Sequence, residues 1–318
     1  MPSPSRHLVD PQLLPLLETF PPLELSTELL PLIRCMPPRR AASAANIREQ
    51  VDLESHTIAG PPGAPEVSVF VYTPRAKRAP LPCILHIHGG GYVMGSASGM
   101  EAVHRPLALD AACVVASVEY RLAPETRFPG AVEDCYAALR WLHAHARELG
   151  IDPRRIGALG ESAGGGLTAA LALLARDRRE HPLAFQHLIY PMIDDRTCTA
   201  PDLSPYVGEF VWSPANNAFG WSSLLGAAPG SADVSPYAAA ARATELHGLP
   251  PTYLSTGALD LFLEEDLEYA RRLMRHGVPV ELHVYPGAFH AFELAEEAQV
   301  ARQARRDSLL ALKRALHG

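Results

Sequence analysis

The sequence contains no apolar run that approaches the ~20 residues of a membrane-spanning helix. It also has no excess of basic residues, since 28 Lys and Arg stand against 35 Asp and Glu, for a net charge of -7. Nucleic acids and anionic membranes favour clustered Lys and Arg as partners. We therefore expect no nucleic-acid partner and no stable insertion into a membrane.

Disulfide and targeting patterns are missing as well. The five cysteines are odd in number and form no Cys-x-x-Cys pair. We interpret them as reduced thiols, with Cys83 and Cys113 buried in strands. The first ten residues lack the basic stretch and the apolar stretch of a secretory signal. These features predict a cytoplasmic protein.

What the 318 residues do contain is enough apolar material for a large core, with 47% hydrophobic and 20% charged residues. From about residue 65 onward, β-branched apolar runs alternate with segments of helical spacing. This alternation predicts an α/β fold, with a mostly parallel sheet and helices on both faces. The predicted strands are 65–74, 81–88, 112–120, 155–159, 184–190, 251–256 and 278–285. The predicted helices are 129–149, 162–178, 262–276 and a last one from about 293.

Two stretches do not fit this alternation. Residues 1–50 are rich in Leu and Pro and predict short amphipathic helices interrupted by Pro15, Pro21, Pro22 and Pro31. Residues 194–240 contain Trp212 and Trp221 but no strand pattern, and a long insertion of this kind is usually a lid or cap. We therefore divide the chain into an N-terminal cap segment (1–50), a first core part (51–193), a cap insertion (194–240) and a second core part (241–318).

Gly160-Glu161-Ser162-Ala163-Gly164 matches the Gly-x-Ser-x-Gly motif and lies between a predicted strand and a predicted helix. In that context the serine occupies a strained turn that lifts its Oγ above the sheet. Side chains on either neighbouring glycine position would collide with the turn. Ser162 is therefore the candidate nucleophile, and the alternative of a glycine-rich turn with an incidental serine is weak.

A second glycine motif, His88-Gly89-Gly90-Gly91-Tyr92, directly follows a predicted strand. Free backbone N–H groups are well suited to bind the negative oxygen of a tetrahedral intermediate, and glycines let the backbone approach it closely. The motif therefore predicts an oxyanion hole. A metal site at His86 and His88 is the alternative, but no third ligand of fitting spacing is visible.

His290 is the candidate general base. In this fold the chain order is Ser, then Asp or Glu, then His, and His290 follows the last predicted strand. It therefore lies at the carboxyl end of the sheet, where Ser162 also lies. The alternative, His283, falls inside a strand.

Asp260 is the candidate carboxylate partner of His290, because it follows the predicted strand 251–256. An acid in that position can fix the tautomer of the imidazole and stabilise the imidazolium. Asp194 and Asp195 follow an earlier strand and are the strongest alternatives. A helix N-cap is the purely structural role that Asp260 could have.

Taken together, these segments resemble the hormone-sensitive-lipase-like esterases, the bacterial family IV carboxylesterases. The resemblance runs from about residue 65 to the C terminus. It rests on the two glycine motifs, on the acid and histidine segments, and on further matches: Tyr120-Arg-Leu-Ala-Pro-Glu125, Phe128-Pro129 with Glu133-Asp134, Asp260 with Glu265, and Pro286-Gly-Ala-Phe-His290. We expect the stretch 120–125 to be a structural brace.

The resemblance implies a serine esterase with the triad Ser162, Asp260 and His290 and an oxyanion hole formed by the amides of Gly90, Gly91 and Ala163. It also implies a helical cap. Two positions depart from the family pattern, because Glu161 replaces the usual Asp before the nucleophile and Leu261 replaces a frequent Pro after the acid.

The expected substrates are small-molecule esters of short to medium acyl chains. No metal and no organic cofactor is required for this chemistry. An amidase or deacetylase on the same triad and a non-catalytic ligand receptor on the same fold are the alternatives. The sequence is compatible with a monomer and with a homodimer.

Overall fold

The computed structural model describes residues 4–20, 24–36, 45–76 and 80–318. Within these ranges one eight-stranded sheet has the strand order β1-β2-β4-β3-β5-β6-β7-β8. Strand β2 pairs antiparallel with β1 and β4, and the remaining pairs are parallel. The strands are β1 (Val51–Ile58), β2 (Val67–Pro74), β3 (Leu81–Ile87), β4 (Val114–Glu119), β5 (Ile151–Glu161), β6 (Gln186–Ile189), β7 (Thr252–Gly257) and β8 (Val280–Tyr285).

Helices cover both faces of the sheet. The described α-helices are α1 (Leu14–Leu17), α2 (Leu30–Arg34), α3 (Ala45–Arg48), α4 (Glu101–Asp110), α5 (Gly130–Ala144), α6 (Ala146–Leu149), α7 (Ala163–Arg178), α8 (Pro214–Leu225), α9 (Leu263–Arg275) and α10 (Gln299–His317). Successive residues of a strand point to opposite faces. Accordingly, Leu85 of β3 packs in the core under α5 and α7, while Ile84 packs with α4 and α10. The predicted α/β architecture is confirmed.

The segments before the sheet pack beside the 194–240 insertion. Val9 and Leu13 share a buried cluster with Phe289 and with Phe210 of the insertion. Leu25 and Leu30 pack in the main core, which also contains Trp212 and Trp221. Two hydrogen bonds reinforce this placement: Leu25 N donates to Asn216 Oδ1 at 2.8 Å, and Asp10 N donates to Gly287 O at 3.1 Å.

Several local predictions are wrong. Strand β1 and helix α4 were not predicted. Strand β5 begins at Ile151 rather than at residue 155, and the last helix begins at Gln299 rather than near residue 293. Pro15 and Pro31 stand in the first turns of α1 and α2, so they begin helices instead of interrupting them. This is the position where proline removes no helical hydrogen bond. Pro21 and Pro22 lie outside the described residues.

The cysteine prediction holds in most respects. Cys83 is buried in β3, and Cys113 is buried immediately before β4 rather than within it. Cys35, Cys83, Cys113 and Cys135 are free thiols, and burial raises the pKa of Cys83 to about 12. No helix in the described ranges has the length and apolarity needed to cross a membrane.

Candidate active site

Ser162 lies at the sharp turn between β5 and α7, at the carboxyl end of the sheet. Its φ is +55°, a strained value for a residue with a side chain. Its backbone N–H donates to Ile189 O at 2.9 Å, which holds the turn against β6. A side chain at Gly164 would overlap the carbonyls of Ile87 and His88, so this position requires glycine. The local geometry is that of the predicted nucleophile turn.

The loops after β7 and β8 bring Asp260 and His290 to Ser162. His290 Nε2 lies 3.0 Å from Ser162 Oγ, and His290 Nδ1 lies 2.8 Å from Asp260 Oδ2. All three side chains are buried, and Asp260 is completely inaccessible to solvent. The second oxygen of Asp260 accepts a hydrogen bond of 3.0 Å from Phe262 N. One line of hydrogen bonds therefore joins the hydroxyl, the imidazole and the carboxylate.

The alternative acids and bases are occupied elsewhere. Asp194 pairs with Arg196, and Asp195 pairs with Arg242 at 2.6 Å. His283 on β8 lies 2.9 Å from Glu281. The structure therefore brings Asp260 and His290, rather than these residues, to the serine.

The oxyanion loop, which we define as residues 88–94, runs beside the serine. Gly90, Gly91 and Tyr92 all have positive φ, of +127°, +59° and +67°. In the part of the chain that the structure describes, the amides of Gly90 and Gly91 donate to no other group. The Ala163 amide stands in the first turn of α7, where no intrahelical acceptor exists. All three predicted donors are thus available for a ligand oxygen.

His88 and Tyr120 support this loop. The His88 ring stacks on Tyr120 with centroids 4.2 Å apart, and its Nδ1 lies 2.8 Å from Gly89 O. Tyr120 Oη donates to His88 O at 2.8 Å. These contacts agree with the predicted bracing role of the 120–125 stretch.

Trp212 of the insertion lies directly over the oxyanion loop. A side chain at Gly91 would overlap its indole, and its ring centroid is 6.3 Å from that of His290. The indole Nε1 donates to Asn217 Oδ1 at 3.2 Å. The preceding residue, Val211, has a φ of +64°, a costly conformation for a β-branched side chain. Strain of this kind is typical of functional segments.

Glu161, the departure before the nucleophile, accepts from His86. Both carboxylate oxygens of Glu161 lie 3.1 Å from His86 Nε2. The longer side chain therefore ties the nucleophile turn to the neighbouring strand β3. Within the described ranges, no group of three or more His, Cys, Asp and Glu side chains is arranged to hold a metal ion.

Glu265 on α9 fixes the start of the insertion. It accepts hydrogen bonds from Ile193 N at 2.7 Å and Asp194 N at 3.1 Å, and it contacts the Thr197 hydroxyl. Burial raises the pKa of its carboxyl well above the usual value. The family motif pointed to this residue, but its contacts could not be read from the sequence.

Two neighbours of His290 were missed. Tyr190, just after β6, has its ring centroid 4.6 Å from that of His290. Glu293 lies near this ring, and burial raises the pKa of the Glu293 carboxyl to about 7. The position of Tyr190 at the carboxyl end of a strand was the available signal. Glu293 follows His290 by three residues and carried no signal.

The fold and the site together define an α/β hydrolase. A family model described as "alpha/beta hydrolase fold" matches residues 84–294. The chain belongs to this family, and within it to the hormone-sensitive-lipase-like carboxylesterases that the motifs predicted.

Individual relatives resemble the chain along most or all of its length. The carboxylesterase NlhH of Mycobacterium tuberculosis is 35% identical over 323 residues, covering 99% of each chain. The arylacetamide deacetylase of Bos taurus is 32% identical over 286 residues, covering 71% of this chain and 72% of its own. A solved structure described as a bacterial heroin esterase has a TM-score of 0.89 and 42% identity, covering 98% of this chain and 99% of its own.

Proposed function

We propose that the chain hydrolyses carboxylic esters of short to medium acyl chains through a Ser162-His290-Asp260 triad. The observation that carries this proposal is the line of hydrogen bonds from Ser162 Oγ through His290 to Asp260. A buried carboxylate that accepts from Nδ1 leaves Nε2 free to accept the serine proton. The general base is therefore oriented before substrate arrives.

In the acylation step Ser162 Oγ forms a bond to the ester carbonyl carbon while its proton moves to His290 Nε2. The carbonyl oxygen takes the negative charge and is bound by the amides of Gly90, Gly91 and Ala163. When the tetrahedral intermediate collapses, the bond to the alcohol breaks and His290 returns the proton to the leaving oxygen.

In the deacylation step a water molecule gives its proton to His290 and attacks the acyl-enzyme carbonyl. The acid is released, and the proton returns to Ser162 Oγ. Every proton in the cycle passes through His290, and water is the only reactant besides the ester.

We further propose that residues 1–50 and 194–240 form a cap that binds the acyl chain. Trp212 supports this, since its indole lies on Gly91 and faces the catalytic side of the sheet. Because an apolar pocket favours burial of methylenes, such a cap selects chain length more than it alters reactivity.

The alternative activity on the same triad is amide hydrolysis. One relative is named an arylacetamide deacetylase, and that name is the observation that favours it. Amines are poorer leaving groups than alcohols, so amide hydrolysis depends more strongly on proton donation from protonated His290 to the leaving nitrogen. Comparing p-nitrophenyl acetate with p-nitroacetanilide decides between the activities, and we expect the ester to be preferred by a wide margin.

The test of the proposed function is the hydrolysis of p-nitrophenyl esters from acetyl to octanoyl by the wild-type chain and by Ser162→Ala and His290→Ala. Each single variant should lose nearly all activity. The double variant should lose little more, because the residues act as a unit. A tenth of the activity remaining in either single variant, a loss of only about 1.4 kcal/mol in barrier, would contradict the assignment.

A further inference from the structure

Arg34, near the C-terminal end of helix α2, reaches from the N-terminal segment to the oxyanion loop. Its Nε donates to Val93 O at 2.8 Å, and its Nη2 donates to Ala123 O at 2.8 Å. The guanidinium also holds Glu125, with Nη1 and Nη2 donating to the two carboxylate oxygens at 2.7 and 3.0 Å. One side chain thus bonds to residues that lie 59, 89 and 91 positions further along the chain.

The two carbonyls that accept hydrogen bonds from Arg34 belong to Val93, within the oxyanion loop, and to Ala123, next to it. Val93 N and Met94 N donate to Gly90 O, which closes the loop on itself at 3.1 and 3.0 Å. Ala123 N donates to Tyr92 O at 2.9 Å, which ties the loop to the neighbouring segment. A displacement of Val93 or Ala123 is therefore transmitted to Gly90 and Gly91.

The loop requires such a restraint. Tyr92 has a φ of +67°, a conformation that a residue with a side chain keeps only where surrounding contacts enforce it, and the adjacent glycines Gly90 and Gly91 are too permissive to hold the loop by themselves. The side chain of Arg34 is 24% exposed, and Leu30, one turn earlier on α2, is buried in the core. The helix is therefore fixed at one point by Leu30 and bonded to the loop by Arg34.

Only arginine suits these acceptors. Its planar guanidinium offers five donors in a fixed fork, whereas a lysine ammonium is a compact charge with three. A lysine at this position keeps the charge but bonds fewer of the four oxygens.

We propose that Arg34 is a positioning residue that holds the oxyanion loop in its catalytic geometry. The proposal rests on the proposed esterase function. Oxyanion donors bind the transition state more strongly than the ground state, so their displacement lowers kcat more than it raises KM. The N-terminal segment thereby contributes to the chemical step as well as to the proposed cap.

The test compares the full-length wild-type chain with Arg34→Met and Arg34→Lys. Arg75→Met is the control, since Arg75 lies outside the proposed cap and pairs with Asp52 on β1 at 2.8 Å. Hydrolysis of p-nitrophenyl butyrate gives kcat and KM. Inhibition by an alkyl trifluoromethyl ketone reports the oxyanion hole, because Ser162 Oγ adds to its carbonyl carbon, the carbonyl oxygen becomes the oxyanion and His290 takes the proton.

We expect Arg34→Met to lower kcat on the order of tenfold and to raise the Ki of the ketone by a similar factor, with KM within about twofold. Arg34→Lys should fall between the wild type and Arg34→Met, and Arg75→Met should match the wild type in kcat and Ki. Should Arg34→Met fail to fold, a loss of at least about threefold in both quantities in Arg34→Lys supports the proposal.

Wild-type kcat and Ki in Arg34→Met, or in Arg34→Lys if only that variant folds, would overturn the proposal. Equal losses in Arg75→Met would do so as well, because they would reveal a general effect on stability. Failure of the proposed function has a different result: the wild-type chain would not bind the ketone, or Ser162→Ala would hydrolyse the ester as fast as the wild type.

Discussion

Asp260 uses both of its carboxylate oxygens, one for His290 Nδ1 and the other for Phe262 N. The second hydrogen bond fixes the orientation of the carboxylate toward the imidazole. An asparagine of the same shape could present its NH2 group to the ring, which would favour the tautomer with the proton on Nε2. That tautomer cannot accept the serine proton.

We therefore expect Asp260→Asn to lower kcat by a factor on the order of 10⁴ with little change in KM, as assayed with p-nitrophenyl butyrate. Asp194→Asn is the matched control, because Asp194 is a neighbouring candidate whose carboxylate pairs with Arg196 instead. It should keep activity within about twofold. If the control is the damaged protein and Asp260→Asn is not, the acid has been assigned to the wrong residue.

Glu293 is a partly exposed residue near His290, but one of its carboxylate oxygens, Oε2, is buried and has no hydrogen-bond partner among the described residues. Burial raises its pKa to about 7, so the folded state favours the protonated form. The protonated Glu293 carboxyl stabilises the folded protein relative to the ionised carboxyl. This stabilisation is complete below the unfolded pKa of about 4.5. It is lost as the pH rises through about 7.

Replacing Glu293 by Gln should remove this dependence. Between pH 5 and pH 8 the free energy of unfolding of the wild type should fall relative to that of Glu293→Gln, by at most about 3 kcal/mol. Urea denaturation at several pH values measures the difference. Glu297→Gln, at a site 89% exposed, should run parallel to the wild type. Parallel curves for Glu293→Gln would show that the carboxyl is ionised in the folded protein throughout this range.

The sequence indicated some of these residues but not others. Ser162, Asp260 and His290 were located from a local motif, the chain order and their positions after strands, all of which are properties of short segments. Arg34 and Val93 are 59 positions apart in the sequence, and no pattern around either residue predicts their hydrogen bond. Glu293 became notable only when burial and the nearby Tyr190 were known.

Among the secondary-structure elements, the central parallel strands were predicted because they are apolar on both faces. Strand β1 was missed because it lies at the edge of the sheet and exposes several polar residues, so its pattern resembles a loop. Helix α4 was missed because Pro106 lies inside it and because its buried residues include His104 and Arg105. Tertiary contacts override local preference in both elements.

The insertion determines what lies above the oxyanion loop. Helix α8 approaches this loop so closely that a side chain at Gly220 would meet Gly91 O. Trp212 is buried beside the oxyanion loop and is therefore the candidate wall of the acyl pocket. Each methylene that enters an apolar pocket contributes about 0.8 kcal/mol, close to fourfold in kcat/KM, until the chain reaches the wall.

Trp212→Ala should therefore move the maximum of kcat/KM toward longer acyl chains in a series from acetyl to octanoyl esters. Trp141→Ala is the matched control, since Trp141 lies on α5 and packs against His56 and His145. That variant should keep the wild-type profile. An unchanged profile in a folded Trp212→Ala protein would place the acyl pocket elsewhere.

At the scale of the whole molecule, the residues of the proposed active site all lie at one edge of the sheet. The oxyanion loop follows β3, Ser162 follows β5, and the loops after β7 and β8 provide Asp260 and His290. The carboxyl ends of parallel strands meet at that edge, which is why residues spread over two hundred positions converge there. The N-terminal segment then bonds to two of these loops, through Arg34 to the oxyanion loop and through Asp10 to Gly287 on the His290 loop.

The central claim is that Ser162, activated by His290, is the nucleophile. Its most direct test is reaction of the full-length chain with a small fluorophosphonate, followed by mass spectrometry of the labelled peptide. We predict one phosphonyl group, located on Ser162, with no labelling of Ser162→Ala and labelling of His290→Ala slowed by at least about a hundredfold. A label on another residue, or equal rates in wild type and His290→Ala, would contradict the account.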